Sequence, residues 1–466
     1  MSIESLSADS NGRSGFSAGP VMDAESPSVW PSLDSNVALG RSAYRRNDMS
    51  QQPDTSSVPL KTEHVVLMAI GTGSIVANIY YIQPLLSLIA SHFTISATSA
   101  GTIAMLSQLG TALGMFFFVP LGDTKERRGL IVKLLLAACI CLVAMATARN
   151  LWWLATASFG IGLTAATVHV IVPYAAHLAP EARRGSVIGA VMSGLLLGIL
   201  LARTVSGLLG AWFGWRLPYL LSALLMLVIA ALYRSRLPRS EPTSALSWPL
   251  LIRSTGTLIR TQPVLVESSL IGASFFGAFS AFWTTLVFFL QRPPYHYGSG
   301  VAGLFGLVGA VGAVGAPLIG HRADRRGARG NISFALLIVL AAFVVLWLFG
   351  GHMAGLILGV ILLDFGVQAG HVSNQTRIYA LLPEARSRLN MVYMICYFSA
   401  GAIGSYAGTA CWQHFGWRGV CEFGVGMILF GAVVHTMSAR SETRGVLADN
   451  PAREPAEMVS AESYKH

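Results

Sequence analysis

The sequence predicts an all-α integral membrane protein, with twelve transmembrane helices arranged as two pseudo-symmetric six-helix bundles. Three observations predict it. Apolar runs of membrane-crossing length recur from residue 64 to residue 437, basic residues collect in alternate loops between those runs, and loop motifs of the first half return about 202 residues later.

The totals agree with a membrane protein. The chain has 466 residues, of which 53% are hydrophobic and 12% charged, and its mean hydropathy is +0.58. A soluble globule does not combine so little charge with so much apolar sequence. The net charge of +10 is spread over short loops rather than gathered in tracts interleaved with aromatics, so its partner is the lipid bilayer and not nucleic acid.

Chemistry by cofactor or covalent catalysis finds no support. Cys139, Cys141, Cys396, Cys411 and Cys421 show no metal or redox spacing and read as small core residues. There is no Gly-Lys phosphate loop, no His-Glu-x-x-His and no Gly-x-Ser-x-Gly. The reading is a protein without cofactor or metal, neither an enzyme nor an ATP-driven pump.

In chain order, residues 1–60 are rich in Ser, Asp, Pro and Asn and hold no apolar run, which predicts a disordered tail. Met49 would serve equally well as a start. Apolar runs follow at 64–90, 97–120, 129–147, 151–178, 186–210 and 214–233, giving a first bundle within 61–233. A linker, 234–263, carries Pro238, Pro242, Pro249 and several arginines. The second bundle, 264–437, holds runs at 264–290, 299–320, 331–350, 353–378, 390–412 and 417–437, and a disordered tail is expected over 438–466. Each run is long enough to cross a hydrocarbon core at about 1.5 Å per residue.

The connections set orientation. One alternate set carries Lys125, Arg127 and Arg128; Arg183 and Arg184; Arg234, Arg236, Arg239, Arg253 and Arg260; Arg322, Arg325, Arg326 and Arg329; and Arg386 and Arg388. The other set carries Arg149, Arg216, Arg292 and Arg418, one to a loop. The positive-inside rule makes the first set cytoplasmic and places both termini inside.

The halves repeat each other. Asp123 recurs as Asp324 after 201 residues, Pro180-Glu-Ala-Arg as Pro383-Glu-Ala-Arg after 203, and Phe213-Gly-Trp-Arg as Phe415-Gly-Trp-Arg after 202. Each match follows an even number of spans, which indicates a parallel duplication about an axis along the membrane normal. Trp152, Trp153, Trp215 and Trp417 at span ends read as interface anchors.

The tenth span breaks the apolar pattern. Asp364, Gln368, His371 and Gln375 fall at steps of four, three and four and share one helix face, with Asn374 and Arg377 nearby. A charged face at that depth needs protein partners or water, so it lines something. Asp364 is the one carboxylate read deep inside a span, since Glu267 sits near a span end. Two roles fit it: a proton carrier loaded from alternate sides, or a static partner of Arg203 or a neighbouring helix. Arg203, in the outer half of the fifth span, fits anion binding or gating, or snorkelling to the surface. His169 and His371, 202 residues apart, fit titrating groups or satisfied hydrogen-bonders. Gly194 with Gly198, and Gly401, Gly404 and Gly408, fit close helix approach.

Gly320-His-Arg-Ala-Asp324-Arg325-Arg326-Gly327-Ala328-Arg329 resembles the signature loop of the major facilitator superfamily, Gly-x-x-x-Asp-Arg/Lys-x-Gly-Arg-Arg/Lys, departing at Ala328. Val119-Pro-Leu-Gly-Asp123-Thr124-Lys125-Glu126-Arg127-Arg128 is similar to its other copy and departs at Val119, Thr124 and Glu126. Asn78-Ile-Tyr80-Tyr81-Ile-Gln83-Pro84, Ser193-Gly-Leu-Leu-Leu-Gly198 through Arg203-Thr-Val-Ser-Gly207, and His371-Val-Ser-Asn374-Gln375 look like bacterial efflux-type members, the drug:proton antiporter and nucleoside- or sugar-efflux groups. In the fifth span, Ile199 and Leu201-Ala202 stand where the antiporter signature has a proline and paired glycines.

The resemblance implies that helices 1, 4, 7 and 10 line a central cavity. It would be furnished by Asn78, Tyr81 and Gln83, by His169, by Ser280 and Thr284, and by Gln368, His371, Asn374 and Gln375, with Arg203, Tyr393 and Tyr397 as further candidates. It implies a cytoplasmic gate at Asp123, Arg127, Arg128, Gly320, Asp324, Arg325, Gly327 and Arg329. The function expected is a monomeric secondary transporter of the bacterial inner membrane, exporting a small organic solute against protons with Asp364 as the coupling group. Uptake or facilitated diffusion on the same fold, and a non-transporting receptor, are the alternatives.

Overall fold

A computed structural model describes residues 61–240, 248–314, 316–382 and 385–448, without the side chains of residues 248–249, 251, 313–326 and 439–448. The tail expected over residues 1–60 lies outside the described residues. Every described element is helical: α1 (Thr62–Tyr80), α2 (Ile82–Phe93), α3 (Ala97–Thr124), α4 (Arg127–Ala146), α5 (Leu151–Ala165), α6 (Thr167–Leu178), α7 (Arg184–Phe213), α8 (Leu217–Arg236), α9 (Trp248–Thr261), α10 (Pro263–Leu290), α11 (Ser299–Val314), α12 (Ala316–Phe349), α13 (Met353–Leu381) and α14 (Arg386–Ala448), with one 3₁₀ turn at Glu181–Arg183.

Local chemistry sets several helix ends. Ser96 accepts from the Ser99 amide to start α3, the Glu126 carboxylate accepts from the Arg128 and Gly129 amides to start α4, and Asn150 accepts from the Trp153 amide to start α5. Pro84 withholds an amide from the turn that joins α1 to α2, where the first span is interrupted at Tyr81. Gly214 (φ 86°) and Gly416 (φ 64°) turn the chain at the two Phe-Gly-Trp-Arg copies, so the repeated motif is a repeated left-handed turn.

Ten described segments are long and apolar enough to cross a membrane. One of them, Arg386–Ser438, is broken at Gly416, and a shorter apolar helix covers Ser299–Gly312. Together these accommodate the twelve crossings read from the sequence. The last helix runs on to Ala448, past the boundary at 437, and the linker contains the helix α9.

The packing repeats between halves. In the first, α1 packs on α7, α3 on α5 and α4 on α8; in the second, α10 packs on the first part of α14 and α11 on α13. Gly198 and Gly194 bring α7 against the backbone of α1 at Gly73 and Ala69, and Gly404 brings α14 against the backbone of α10 at Gly277. A Cβ at Gly198 would collide with the Gly73 carbonyl, whereas one at Gly185 would meet nothing within 4 Å. Gly198→Val is therefore expected to destabilise the purified protein by about 1–3 kcal/mol in thermal melts, and Gly185→Val to leave the melting temperature unchanged.

Hydrogen bonds gather the span ends. At the basic end, Arg128 donates to the Leu237 carbonyl (2.9 Å) and the Tyr174 hydroxyl to that of Pro238. At the opposite end, Arg216 donates to the carbonyls of Ala146 (3.0 Å) and Ala148 (3.2 Å), the orphan acceptors where α4 finishes. Trp215 is buried here, 5% exposed, among His92, Phe93 and Tyr219, because the Gly214 turn folds it inward. It is not an interface anchor, in contrast to Trp152, which is 83% exposed.

The two halves meet at the opposite end. Thr98 donates to Gln413 (2.7 Å), Thr204 donates to the Gly303 carbonyl (3.0 Å), and Gly207 lies against the backbone of Ser299 and Gly303. The same face of α7, followed back at helical spacing, continues through Leu197, Ser193, Gly189 and Ser186, all exposed. The seam between α7 and α11 is closed at the opposite end, and on α7 the residues that continue that face toward the basic end are exposed.

Candidate functional site

Arg203 is the largest of the fully buried side chains, with 1% exposure, so it does not snorkel. Its Nε donates to Gln83 Oε1 (2.6 Å), and its guanidinium lies 3.9 Å from the Trp283 ring centroid, 5.0 Å from that of Tyr80 and 5.4 Å from that of Phe279. The Gln83 bond and the Trp283 ring pin the fork, and both terminal nitrogens are left without a hydrogen-bond partner. Gln83, Pro84, Arg203, Trp283, Leu286, Val287 and Ala302 enclose a cavity of about 10 Å³, room for at most one water. This plug of four spans closes the site toward the opposite end.

Asp364 is 4% exposed and its Oδ2 has no hydrogen-bond partner. Room for it comes from Gly309 on α11, where a Cβ would lie 2.9 Å from Oδ1. Asp364 sits within electrostatic range of Arg203 and beside the Trp283 indole, whose Nε1 is also unpartnered. No hydrogen bond or ion pair joins Asp364 to Arg203 directly; the two charges interact across electrostatic range, and the Trp283 indole of α10 sits against the carboxylate. Below Asp364, Gln368, His371 and Gln375 are partly exposed along the same face of α13, and His169 is partly exposed on α6. The stripe runs from the buried carboxylate toward the basic end.

The other candidates divide. His371 Nδ1 lies 3.0 Å from the Tyr393 hydroxyl and its ring 4.9 Å from that of Tyr397, which stacks on Phe276 at 4.0 Å. Gln375 donates to Asn390 (3.2 Å), and Asn374 is buried and donates to the Gly370 carbonyl (2.9 Å). Asn78 accepts from Ser222, Tyr81 packs edge-on to Tyr219, Thr284 donates to Ser405 (3.2 Å), and Ser280 is buried beside Gly401. These last four are engaged by helices of their own halves rather than gathered at Arg203 and Asp364.

The gate residues contact their own halves. Asp123 pairs with Arg127 (3.1 Å), whose Nε also donates to the Gly122 carbonyl (3.0 Å), and Arg128 holds the end of α8. Gly327 takes a positive φ of 76°, and Arg329 donates to the His435 carbonyl (3.2 Å). The side chains of Asp324 and Arg325, and the surroundings of Gly320, lie outside the described residues.

Sequence reasoning missed two features. One is the aromatic wall of Tyr80 on α1 with Phe276, Phe279 and Trp283 on α10, where the polar Ser280 and Thr284 drew the reading instead. Glu267, set aside as a span-end residue, is buried and engages Arg377 (2.9 Å), Ser438 (2.8 Å), His435 (3.5 Å) and Arg329 (3.6 Å). The repeat offset carries a signal for the centre. At an offset of 202, Arg203 corresponds to Ser405 and Asp364 to Gly162, so the charges are departures from the duplication.

Known proteins agree with this architecture. Residues 68–405 match the family model described as Major Facilitator Superfamily. The chain is 44% identical over 371 residues to the putative uncharacterized transporter YgaY of Escherichia coli K12, covering 79% of this chain and 94% of that one. It is 33% identical over 404 residues to the probable transporter SCO4007 of Streptomyces coelicolor, covering 86% and 93%. Its fold is similar, with a TM-score of 0.65 at 15% identity, to an inward-facing, occupied bacterial homologue of the human lysosomal transporter Spinster, covering 82% of this chain and 97% of that one. The chain belongs to the Major Facilitator Superfamily and is a multi-pass membrane transporter.

Proposed function

We propose that this transporter exports a small organic solute across the bacterial inner membrane in exchange for protons. One central site, between Arg203 of the first half and Asp364 of the second, is exposed to each side in turn by rocking of the two bundles. The observation that carries the reading is the buried carboxylate of Asp364, which makes no ion pair and lies at the inner end of a polar stripe leading to the basic end. A buried carboxylate without an ion pair in a span is costly, and binding a proton or a solute offsets that cost.

Orientation follows from the loops. The positive-inside rule makes the basic end cytoplasmic, so the contact of α7 with α11 at the opposite end is an outer closure, and solute loads from the cell. Once the seam parts on the other side, protons from outside reach Asp364 and the solute leaves. In inverted vesicles holding a proton gradient, addition of a transported solute is expected to collapse the gradient, read by a pH-sensitive dye. A solute that moves together with protons instead identifies an uptake symporter, and counterflow without any proton movement identifies a facilitator.

The closed end gives a conformational prediction. A Cβ at Gly207 would lie 2.6 Å from the Ser299 carbonyl and 2.7 Å from Gly303 Cα. Gly207→Val is expected to pry the outer seam apart and raise the labelling of cysteines placed at residues 211 and 300 by a membrane-impermeant reagent.

A further inference from the structure

We propose that the central site takes a zwitterionic solute with an apolar or aromatic body, an amino acid or short peptide, holding its carboxylate on Arg203 and its ammonium on Asp364. The proposal rests on the transport reading above and names its substrate class.

The charges are arranged for two ligand groups of opposite sign. Arg203 spends Nε on Gln83 and keeps both terminal nitrogens unpartnered, in the parallel geometry that receives a carboxylate. Asp364 keeps Oδ2 unpartnered on the facing half. Each is buried within electrostatic range of the other, yet the Gln83 bond and the Trp283 stack hold the guanidinium away from direct pairing. Two buried opposite charges held out of direct contact gain most from a ligand that bridges them.

Other solute classes satisfy half of this or none. A simple anion would answer Arg203 and leave Asp364 uncompensated. A simple cation would do the reverse, and a neutral sugar or nucleoside would leave both charges buried and unpaired. A zwitterion answers both and adds no net charge to the seam. The cavity of about 10 Å³ is closed around the charges, so the rings of Tyr80, Phe279 and Trp283 that cover the guanidinium part on binding and then flank the solute's body.

The same geometry supplies coupling. The ammonium and a proton are alternative partners for one carboxylate, so protonation of Asp364 displaces the amino group and leaves the solute held by its carboxylate alone. Arg203 lies on α7 and Asp364 on α13, so a bridging zwitterion also ties the two halves together.

Purified full-length protein tests this by quenching of tryptophan fluorescence. The probes are twenty amino acids and a set of apolar dipeptides, each with its N-acetylated and its esterified form. For a recognised zwitterion, each blocked form is expected to bind about tenfold more weakly, the effect of losing one charge-assisted hydrogen bond. Arg203→Gln should remove the preference over the ester and leave the preference over the acetylated form. Asp364→Asn should do the opposite. A purely structural role would weaken all forms equally, and melting temperatures of both variants check that the helices still assemble.

The proposal is overturned if no zwitterion in the panel outbinds both of its blocked forms, or if neither variant changes the preferences. Its failure is separable from that of the transport reading. A neutral solute that exchanges for protons in vesicles, with zwitterions ignored, leaves export standing and removes the zwitterion. A zwitterion that binds with these preferences but shows no counterflow leaves the site standing and removes export.

Discussion

Asp364→Asn is expected to reduce transport driven by a pH gradient to the background of empty vesicles, while the protein folds and still exchanges solute by counterflow. Asparagine keeps the size of the side chain, so the space provided by Gly309 remains filled and the contact between α11 and α13 is preserved. What it removes is the ability to carry a proton between the two faces. Without that step, a gradient has no free-energy difference to impose on the two facings, and solute only equilibrates. The neutral side chain also withdraws the charge that faces the buried Arg203, so the melting temperature is measured alongside to show that the helices still assemble. The measurement is uptake into inverted vesicles with and without a proton gradient, paired with counterflow in proteoliposomes. Uphill transport retained by the variant removes Asp364 from the coupling mechanism.

How much of this could be read from the sequence depends on the interaction involved. Span lengths, loop charge and the 202-residue repeat follow from hydropathy and chain order, and they survive into the helices and the paired Gly214 and Gly416 turns. The stripe on α13 was legible because polar residues at helical spacing are expensive in a membrane. Burial direction was not. Whether Asn78 faces the centre or Ser222, and whether Trp215 faces lipid or Tyr219, depends on helix rotation, which a run of apolar residues on every side does not encode. Pairing across long separations was hidden as well. Glu267 lies 110 residues from Arg377 and 171 from Ser438, and nothing local to it announces either.

That cluster yields the other large expected effect. Glu267 joins α10 to α13 through Arg377, to α14 through His435 and Ser438, and to the second part of α12 through Arg329, so one carboxylate fastens four helices at the basic end of the second half. Glu267→Ala removes the carboxylate that Arg377, Arg329, His435 and Ser438 share and is expected to destabilise the protein by about 3–5 kcal/mol, the usual cost of removing one member of a buried pair. Arg377→Ala leaves Glu267 with Arg329, His435 and Ser438, so it should cost less than Glu267→Ala. The double variant removes both charges, so its loss is expected to be smaller than the sum of the single losses, with a coupling energy of about 1–3 kcal/mol in a thermal or denaturant cycle. Losses that simply add would mean that the two side chains act independently, and that the 2.9 Å contact does not hold α10 to α13. The cycle also separates this cluster from the central site. Once corrected for the folded fraction, flux in the double variant should retain its dependence on the proton gradient, because Asp364 and Arg203 lie outside the network.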